Sequence, residues 1–362
     1  MVKRLNVCLD WIKETIKKDP FLFVLAMKIW ALGEGCSGYL ASKRGAIEYL
    51  RSTWSFFVRS RYVAGRPVNV TIEPTTICNI QCSVCETGAG ILERASKHMS
   101  LDQFRLIIDK LSPHINTLMF YYMGEPFMNK QSYEMIAYAK MKGVPFVTTC
   151  TNGDVVDPEK LVDSGIDEVS FQLGGMTQAT HQVYRSGSNL ERVIKNMEAT
   201  IRIREIKRPQ MKVLAGFILM RHNEHEVPEF ERRMEEVGVD KAVIIDPCVR
   251  NMEQAEEMLP TDREHWYYDP DAFDRGILRP KVIPHNECPW LYYSMTIQVN
   301  GDVVPCCRDA QGKFVMGNIL EQDSEAIWNG EHFLQFREMI HTNQSKVGIC
   351  RLCSSYGVSR LQ

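Results

Sequence analysis

From residue 68 onward the chain alternates short apolar runs with amphipathic stretches of helical period. VNVTIE (68–73), NTLMFYY (116–122), PFVTTC (145–150), DEVSFQL (167–173), VLAGFIL (213–219) and KAVIID (241–246) read as strands. Helical stretches follow at 100–111, at 133–142, from Pro158, at 190–204 and at 226–237. Ser100 stands as N-cap of the first, with Gln103 three residues on to close a capping box. Six βα repeats of this length predict a parallel barrel or a doubly wound sheet. The first 66 residues read as helical instead. Leu5, Cys8, Leu9, Ile12 and Ile16 recur at helical spacing, a second helix is expected after Asp19-Pro20, and a third over 46–57. Residues 249–287 break the rhythm with an acidic, aromatic stretch that reads as a linker or lid. The last unit, 288–362, has two short strands around Asn300-Gly301 and helices through Ile327 and over 333–341.

Composition changes this picture little. The 362 residues are 44% hydrophobic and 24% charged, which suits a globular protein of two or three units. A net charge of −2 gives no overall pull towards nucleic acid. The N-terminal 66 residues depart from it, with twelve Lys/Arg against five Asp/Glu. With STWSFFVRSRYVAGR at its end, this segment reads either as a helical cap on the main domain or as a basic, aromatic surface for peripheral membrane contact. The apolar run FLFVLAMKIWAL (21–32) is interrupted by Lys28 and falls short of the ~20 residues a membrane span needs. No secretory signal fits, so the expected compartment is the reducing cytoplasm.

The cysteines carry the candidate chemistry. There are twelve, grouped as metal sites group them rather than as a secreted disulfide framework. Cys78, Cys82 and Cys85 form C-x3-C-x2-C directly after the first strand, at the end of a βα unit where barrel active sites form. Zinc wants a fourth ligand, and the nearest later histidine, His98, is thirteen residues on. A 4Fe–4S cluster held by three thiolates keeps one iron open, and an open metal site is a catalytic site.

C-x3-C-x2-C after the first strand of a βα barrel resembles the signature of the radical S-adenosylmethionine (radical SAM) enzymes. Val84 stands where most members have an aromatic. The resemblance implies an α/β fold, a partial (β/α)6 TIM-like barrel, here over 67–248 behind a helical N-terminal extension at 1–66. It implies SAM chelated at the open iron and cleaved by one electron to a 5′-deoxyadenosyl radical that abstracts a substrate hydrogen. MGEP (123–126) resembles the Gly-Gly-Glu-Pro segment that binds the SAM ammonium, with Met123 for the first glycine, which carries the role to Gly124 and Glu125. TNG (151–153) resembles the family's turn beside the nucleoside. In VSFQLGG, Ser170 takes the ribose-contacting position, with Gln172 for the usual acidic residue. Arg185 in HQVYRSG matches the arginine that pairs with the SAM carboxylate, and Asn223 an asparagine near the adenosyl group.

The spacing C-x12-G-x4-C from Cys288 to Cys306, followed by Cys350-x2-Cys353, resembles the SPASM domain or its shortened twitch form. That implies one auxiliary 4Fe–4S cluster on Cys288, Cys306, Cys350 and Cys353, with Cys307 left over. The cofactor expectation is therefore two 4Fe–4S clusters, one SAM-binding and one auxiliary, plus SAM, with a flavodoxin or ferredoxin as reductant. The leading functional expectation is oxidation or rearrangement of a sugar, cyclitol or lipid-linked small molecule, with the auxiliary cluster as electron acceptor. A ribosomal-peptide maturase and a radical epimerase are the alternatives, and an iron–sulfur electron carrier is the non-enzyme alternative. The helical N-terminus lacks the strand pattern of a leader-peptide-binding module. Cys150 and Cys248 are candidate hydrogen donors. Tyr121, Tyr122, Arg221, His222 and Asp246 are candidate pocket residues by their place at strand ends.

Overall fold

The computed structural model describes residues 43–282 and 286–353. The two helices expected before residue 43 and the last nine residues lie outside that range. Six strands run parallel and side by side: β1 (Asn69–Ile72), β3 (Thr117–Met119), β4 (Phe146–Thr151), β5 (Glu168–Leu173), β7 (Lys212–Ile218) and β8 (Lys241–Ile245). They are the six expected strands in sequence order, each separated by a helix. β1 is buried at every position, as a strand covered on both faces must be. The helix Leu101–Leu111 starts in the expected capping box: Gln103 N–H donates to Ser100 Oγ, and Ser100 N–H donates back to Gln103 Oε1. It buries Leu101, Phe104, Ile107, Ile108 and Leu111 against the sheet.

One strand is shorter than its apolar run. NTLMFYY pairs only through Thr117–Met119, and Phe120 N–H makes the last bond, to the Thr148 carbonyl at 2.8 Å. Tyr121 and Tyr122 then leave the ladder for the barrel mouth.

The C-terminal unit is not set apart from the barrel. β9 (Ser294–Ile297) pairs in parallel with the free side of β1, Asn69 opposite Ser294 and Ile72 opposite Ile297. β10 (Asp302–Val304) and β11 (Gly317–Asn318) follow antiparallel. The result is one nine-stranded sheet in the order β11-β10-β9-β1-β3-β4-β5-β7-β8. A buried ion pair crosses the junction. Arg94 grips Glu73 at the end of β1 through two bonds of 2.7 Å, while Glu73 also accepts from Val299 N–H and Arg94 donates to the Ala310 carbonyl.

The helix Lys43–Phe57 packs on this C-terminal side. Tyr49 stacks on Tyr293 at 4.9 Å, Phe56 meets Tyr292, and Tyr293 Oη donates to Thr53 Oγ1. Its outer face leaves Ile47, Leu50, Trp54 and Val58 exposed, with Trp54 68% exposed. The stretch expected to be a linker or lid folds around a small core of Val249, Ala255, Leu259, Trp266 and Tyr268. Tyr268 Oη donates to the Val249 carbonyl, and Trp266 Nε1 donates to that of Pro260. Aromatic side chains with polar tips satisfied locally give even this acidic segment a centre to fold on.

Candidate active site

The cysteine loop leaves β1 and is fixed at both ends. Thr75 Oγ1 donates to the Lys97 carbonyl and accepts from Ile77 N–H. Further on, β2 (Gln81–Cys82) pairs antiparallel with β6 (Arg185–Ser186), which sets Cys82 opposite Arg185. Burial pushes the Cys78 thiol up to about 11, and the neighbouring thiols Cys82 and Cys85 add to the rise. Cys82 is also raised by burial, while the Arg185 guanidinium pulls it down. Cys78 and Cys82 are thus both raised with Cys85 beside them, and a metal that favours the thiolate would offset that rise.

Gly124 holds the loop from the other side. Its φ is +74°, and a Cβ there would lie 2.6 Å from the Thr75 carbonyl oxygen and 2.8 Å from that of Ile77. Only glycine allows this approach, and Glu125 N–H then donates to the Ile77 carbonyl at 2.9 Å. Glu125 is buried beside the turn TNG: Oε1 accepts from Thr151 Oγ1 and Oε2 from Asn152 N–H, both at 2.8 Å. Burial pushes its carboxyl up to about 7 against those hydrogen bonds. Asn152 in turn donates to Asn79 Oδ1, one residue past Cys78. TNG therefore ties the carboxylate to the cysteine loop.

Arg185 is buried, and its Nε has no hydrogen-bond partner. It sits beside Cys82 and over the Tyr184 ring at 5.7 Å, a buried cation of the kind that pairs with a carboxylate. Ser170 faces Cys150 across the β4–β5 register, and its Oγ accepts from Gln172 Nε2 at 2.7 Å. Asn223 is engaged by its own turn. Both its amide hydrogens are taken up, by the Gly174 and Ile218 carbonyls, and its oxygen accepts from Met220 N–H. It holds the turn after β7 and presents no free donor.

In the C-terminal unit burial drives Cys288, Cys306 and Cys350 upward, Cys350 to about 12. Cys353 adds to each rise, and Cys288 to that of Cys306. Cys353 and Cys288 thus stand near both Cys306 and Cys350, although 65 residues separate Cys288 from Cys353, and Cys307 acts on Cys306 as well. Among the described residues no three His, Cys, Asp or Glu side chains converge on a point as a single ion requires. Both thiol sets fit a polynuclear cluster: soft donors only, three in one set and four in the other.

A cavity of about 540 Å³ lies between the sets. Val84, Glu86 and Met123 border it from the first, Cys307 and Ile349 from the second, with Tyr121 and Tyr122 between. Cys248 is on its wall, so one expected thiol is there. Cys150 is not, and burial pushes its thiol up to about 12. Arg221, His222 and Asp246 are also absent from the wall: Arg221 Nε donates to the Leu259 carbonyl, His222 lies on that of Gly174, and Asp246 faces His265.

Two further contributors escaped the sequence pattern. His181 is buried and neutral, its pKa lowered to about 4 by burial and by Arg185. Its Nδ1 accepts from Gly174 N–H, which leaves Nε2 to donate to Ser188 Oγ and brace the segment carrying Arg185. The Glu73–Arg94 pair, which fastens the cysteine-loop side to the auxiliary side, has no local signature.

Comparison with known proteins agrees with this geometry. The model of the radical SAM superfamily matches residues 72–234, and that of the SPASM iron–sulfur cluster-binding domain matches residues 288–354. The chain belongs to the radical SAM superfamily and carries a C-terminal SPASM domain. It is an enzyme of that class, with SAM and two 4Fe–4S clusters as cofactors. It is 24% identical to the AdoMet-dependent heme synthase of Nitratidesulfovibrio vulgaris, covering 79% of this chain and 84% of that one. It is 22% identical to the PqqA peptide cyclase of Granulibacter bethesdensis, covering 73% and 74%. Among solved structures, Streptococcus suis SuiB bound to S-adenosylmethionine shares the fold at a TM-score of 0.59 and 14% identity, covering 86% and 76%.

Proposed function

We propose that this enzyme oxidises or rearranges a small-molecule substrate, a sugar, cyclitol or lipid-linked compound, held in the cavity between the two thiol sets. The carrying observation is that cavity: its volume of about 540 Å³ falls within the ~300–1,000 Å³ range of small-molecule sites. Val84 and Glu86, chain neighbours of Cys85, border it, as do Cys307, Ile349 and Arg351, chain neighbours of Cys306 and Cys350. Held by Cys78, Cys82 and Cys85, the first cluster with SAM would supply one-electron cleavage and hydrogen abstraction, and the second, on Cys288, Cys306, Cys350 and Cys353, would supply an electron acceptor.

The chain's own residues orient the cofactor. Arg185 takes the SAM carboxylate through its unpartnered edge, Glu125 takes the ammonium, Gly124 brings the turn close enough, and Ser170 meets the ribose. Tyr121 and Tyr122 narrow the passage to the cavity. A flavodoxin or ferredoxin is the proposed reductant. The exposed row Ile47, Leu50, Trp54 and Val58, with Arg51 and Arg59 beside it, supports peripheral contact with a membrane. No helix among the described residues is long and apolar enough to cross one.

The test is anaerobic reconstitution followed by reduction with SAM. The reading expects roughly eight irons per chain and 5′-deoxyadenosine, with one SAM consumed per oxidised product. Solvent deuterium at an inverted carbon, lost in a Cys248 variant, with no net oxidation of the product, replaces it with epimerisation. A second reading, action on a peptide, is favoured by the similarity to the PqqA peptide cyclase. Deuterium transfer from a labelled peptide into 5′-deoxyadenosine would establish it.

A further inference from the structure

The cavity carries a charge that its two thiol sets do not account for. Three arginines from separate segments border it: Arg250 after β8, Arg308 after Cys307, and Arg351 between the last two cysteines. Among the described residues the one carboxylate on that wall is Glu86, whose Oε1 lies 3.9 Å from Arg250 Nη1, beyond hydrogen-bond reach. Arg308 is largely enclosed, near thiols and the Tyr267 ring, with Nη2 on Cys248 Sγ at 3.7 Å. Arg250 borders the opposite, SAM-side loop, where Nη2 donates to the Ser83 carbonyl at 3.1 Å.

Four polar atoms of these wall residues are buried with no hydrogen-bond partner: Arg250 Nη1, Arg308 Nε, Tyr122 Oη and Trp290 Nε1. Buried polar atoms in folded proteins nearly always have a partner, so four orphans around one cavity mark a missing component. Each of the four is a donor. The missing partner is therefore an acceptor, and the surplus of guanidinium over carboxylate makes it an anionic one. The Cys248, Cys353 and Cys307 thiols neighbour Arg308 and answer part of its charge. Arg250 has no such neighbour beyond Glu86.

We propose that the substrate carries an oxyanion, a phosphate or a carboxylate, seated between Arg250, Arg308 and Arg351. The proposal rests on the cavity being the substrate site. Guanidinium forks from three directions would fix one end of the molecule and leave its other end towards Val84 and Met123. Arg250 and Arg351 would then decide which substrates the enzyme accepts.

The experiment uses the reconstituted full chain and phenylglyoxal, which modifies accessible arginines, with inorganic pyrophosphate and succinate as probes. Protection of Arg250, Arg308 and Arg351, mapped by peptide mass spectrometry, is the expected result. Protection by pyrophosphate alone assigns a phosphate substrate, and protection by succinate alone assigns a carboxylate. Arg250→Met should weaken the protecting anion by about tenfold and Arg250→Lys by less, with iron content equal to wild type as the control for folding. Protection by neither probe, or protection undiminished in Arg250→Met, overturns the proposal. Formation of 5′-deoxyadenosine by the wild type is scored separately. A chain that cleaves SAM but shows no anion protection refutes this inference alone, whereas one that fails to cleave SAM refutes the functional reading.

Discussion

Replacing Arg94 with methionine would strip a fully buried carboxylate of its only cation. Glu73 has no exposed side-chain surface and Arg94 only 13%. The two bonds of 2.7 Å disappear together, and Glu73 keeps one donor, Val299 N–H at 2.8 Å. Removing one partner of a buried pair costs about 3–5 kcal/mol, because the desolvated charge that stays behind is no longer answered. At about 2.1 cal/mol/K of unfolding entropy per residue over 362 residues, a 4 kcal/mol loss lowers Tm by about 5 °C. The loss should fall on the junction between cysteine loop and C-terminal unit, since Arg94 also donates to the Ala310 carbonyl. Differential scanning calorimetry of the anaerobic, reconstituted protein at fixed scan rate measures it, alongside iron content. The control is Glu73→Gln with Arg94→Met. With the charge itself removed, the double variant should recover at least half of the lost Tm. If Arg94→Met melts within a degree of wild type, or the double variant is no better than the single, a buried ion pair is not what fastens the two parts.

Three other outcomes follow from the site. Gly124→Ala forces a side chain into left-handed backbone and against two carbonyl oxygens within 2.8 Å, so it should cost about 1–3 kcal/mol and lower iron at the three-cysteine site, read by iron count and visible spectrum. SAM affinity, measured by equilibrium dialysis, should rise as pH increases through about 7, because burial holds Glu125 protonated below that and only the ionised form attracts an ammonium; Glu125→Gln should flatten the profile. The same raised pKa acts on stability in the opposite sense: Glu125's contribution is complete below about 4.5 and is lost as pH rises through about 7. Trp54→Asp should reduce co-flotation with anionic liposomes several-fold if the exposed row meets a membrane, and equal flotation would remove that contact.

Much of this protein was legible along the chain because its signals are local. A parallel strand covered on both faces must be apolar throughout, and its return helix must be amphipathic, so all six strands announced themselves. Ser100 and Gln103 cap one helix from four residues of sequence. Cys78, Cys82 and Cys85 sit within eight residues on one loop, and their spacing alone raised the question of the open iron.

The rest required distant segments to meet, and such meetings leave no periodic trace. NTLMFYY stops pairing at Met119 while β4 beside it runs on to Thr151, a boundary its apolar run does not mark. That β9 joins β1, and so places the four-cysteine set beside the barrel mouth, was decided by pairing between residues more than two hundred positions apart. Asn223 matched a recurrent position, yet its amide is taken up by the turn it stabilises. Arg250, Arg308 and Arg351 are unremarkable in sequence. They become one charged wall only because three separate loops converge on the same cavity. Sequence by itself determined the elements and the metal chemistry, since burial and ligation act over a few residues. The shape and charge offered to the substrate were set by tertiary packing, which alone decides which uncompensated charges end up facing one another.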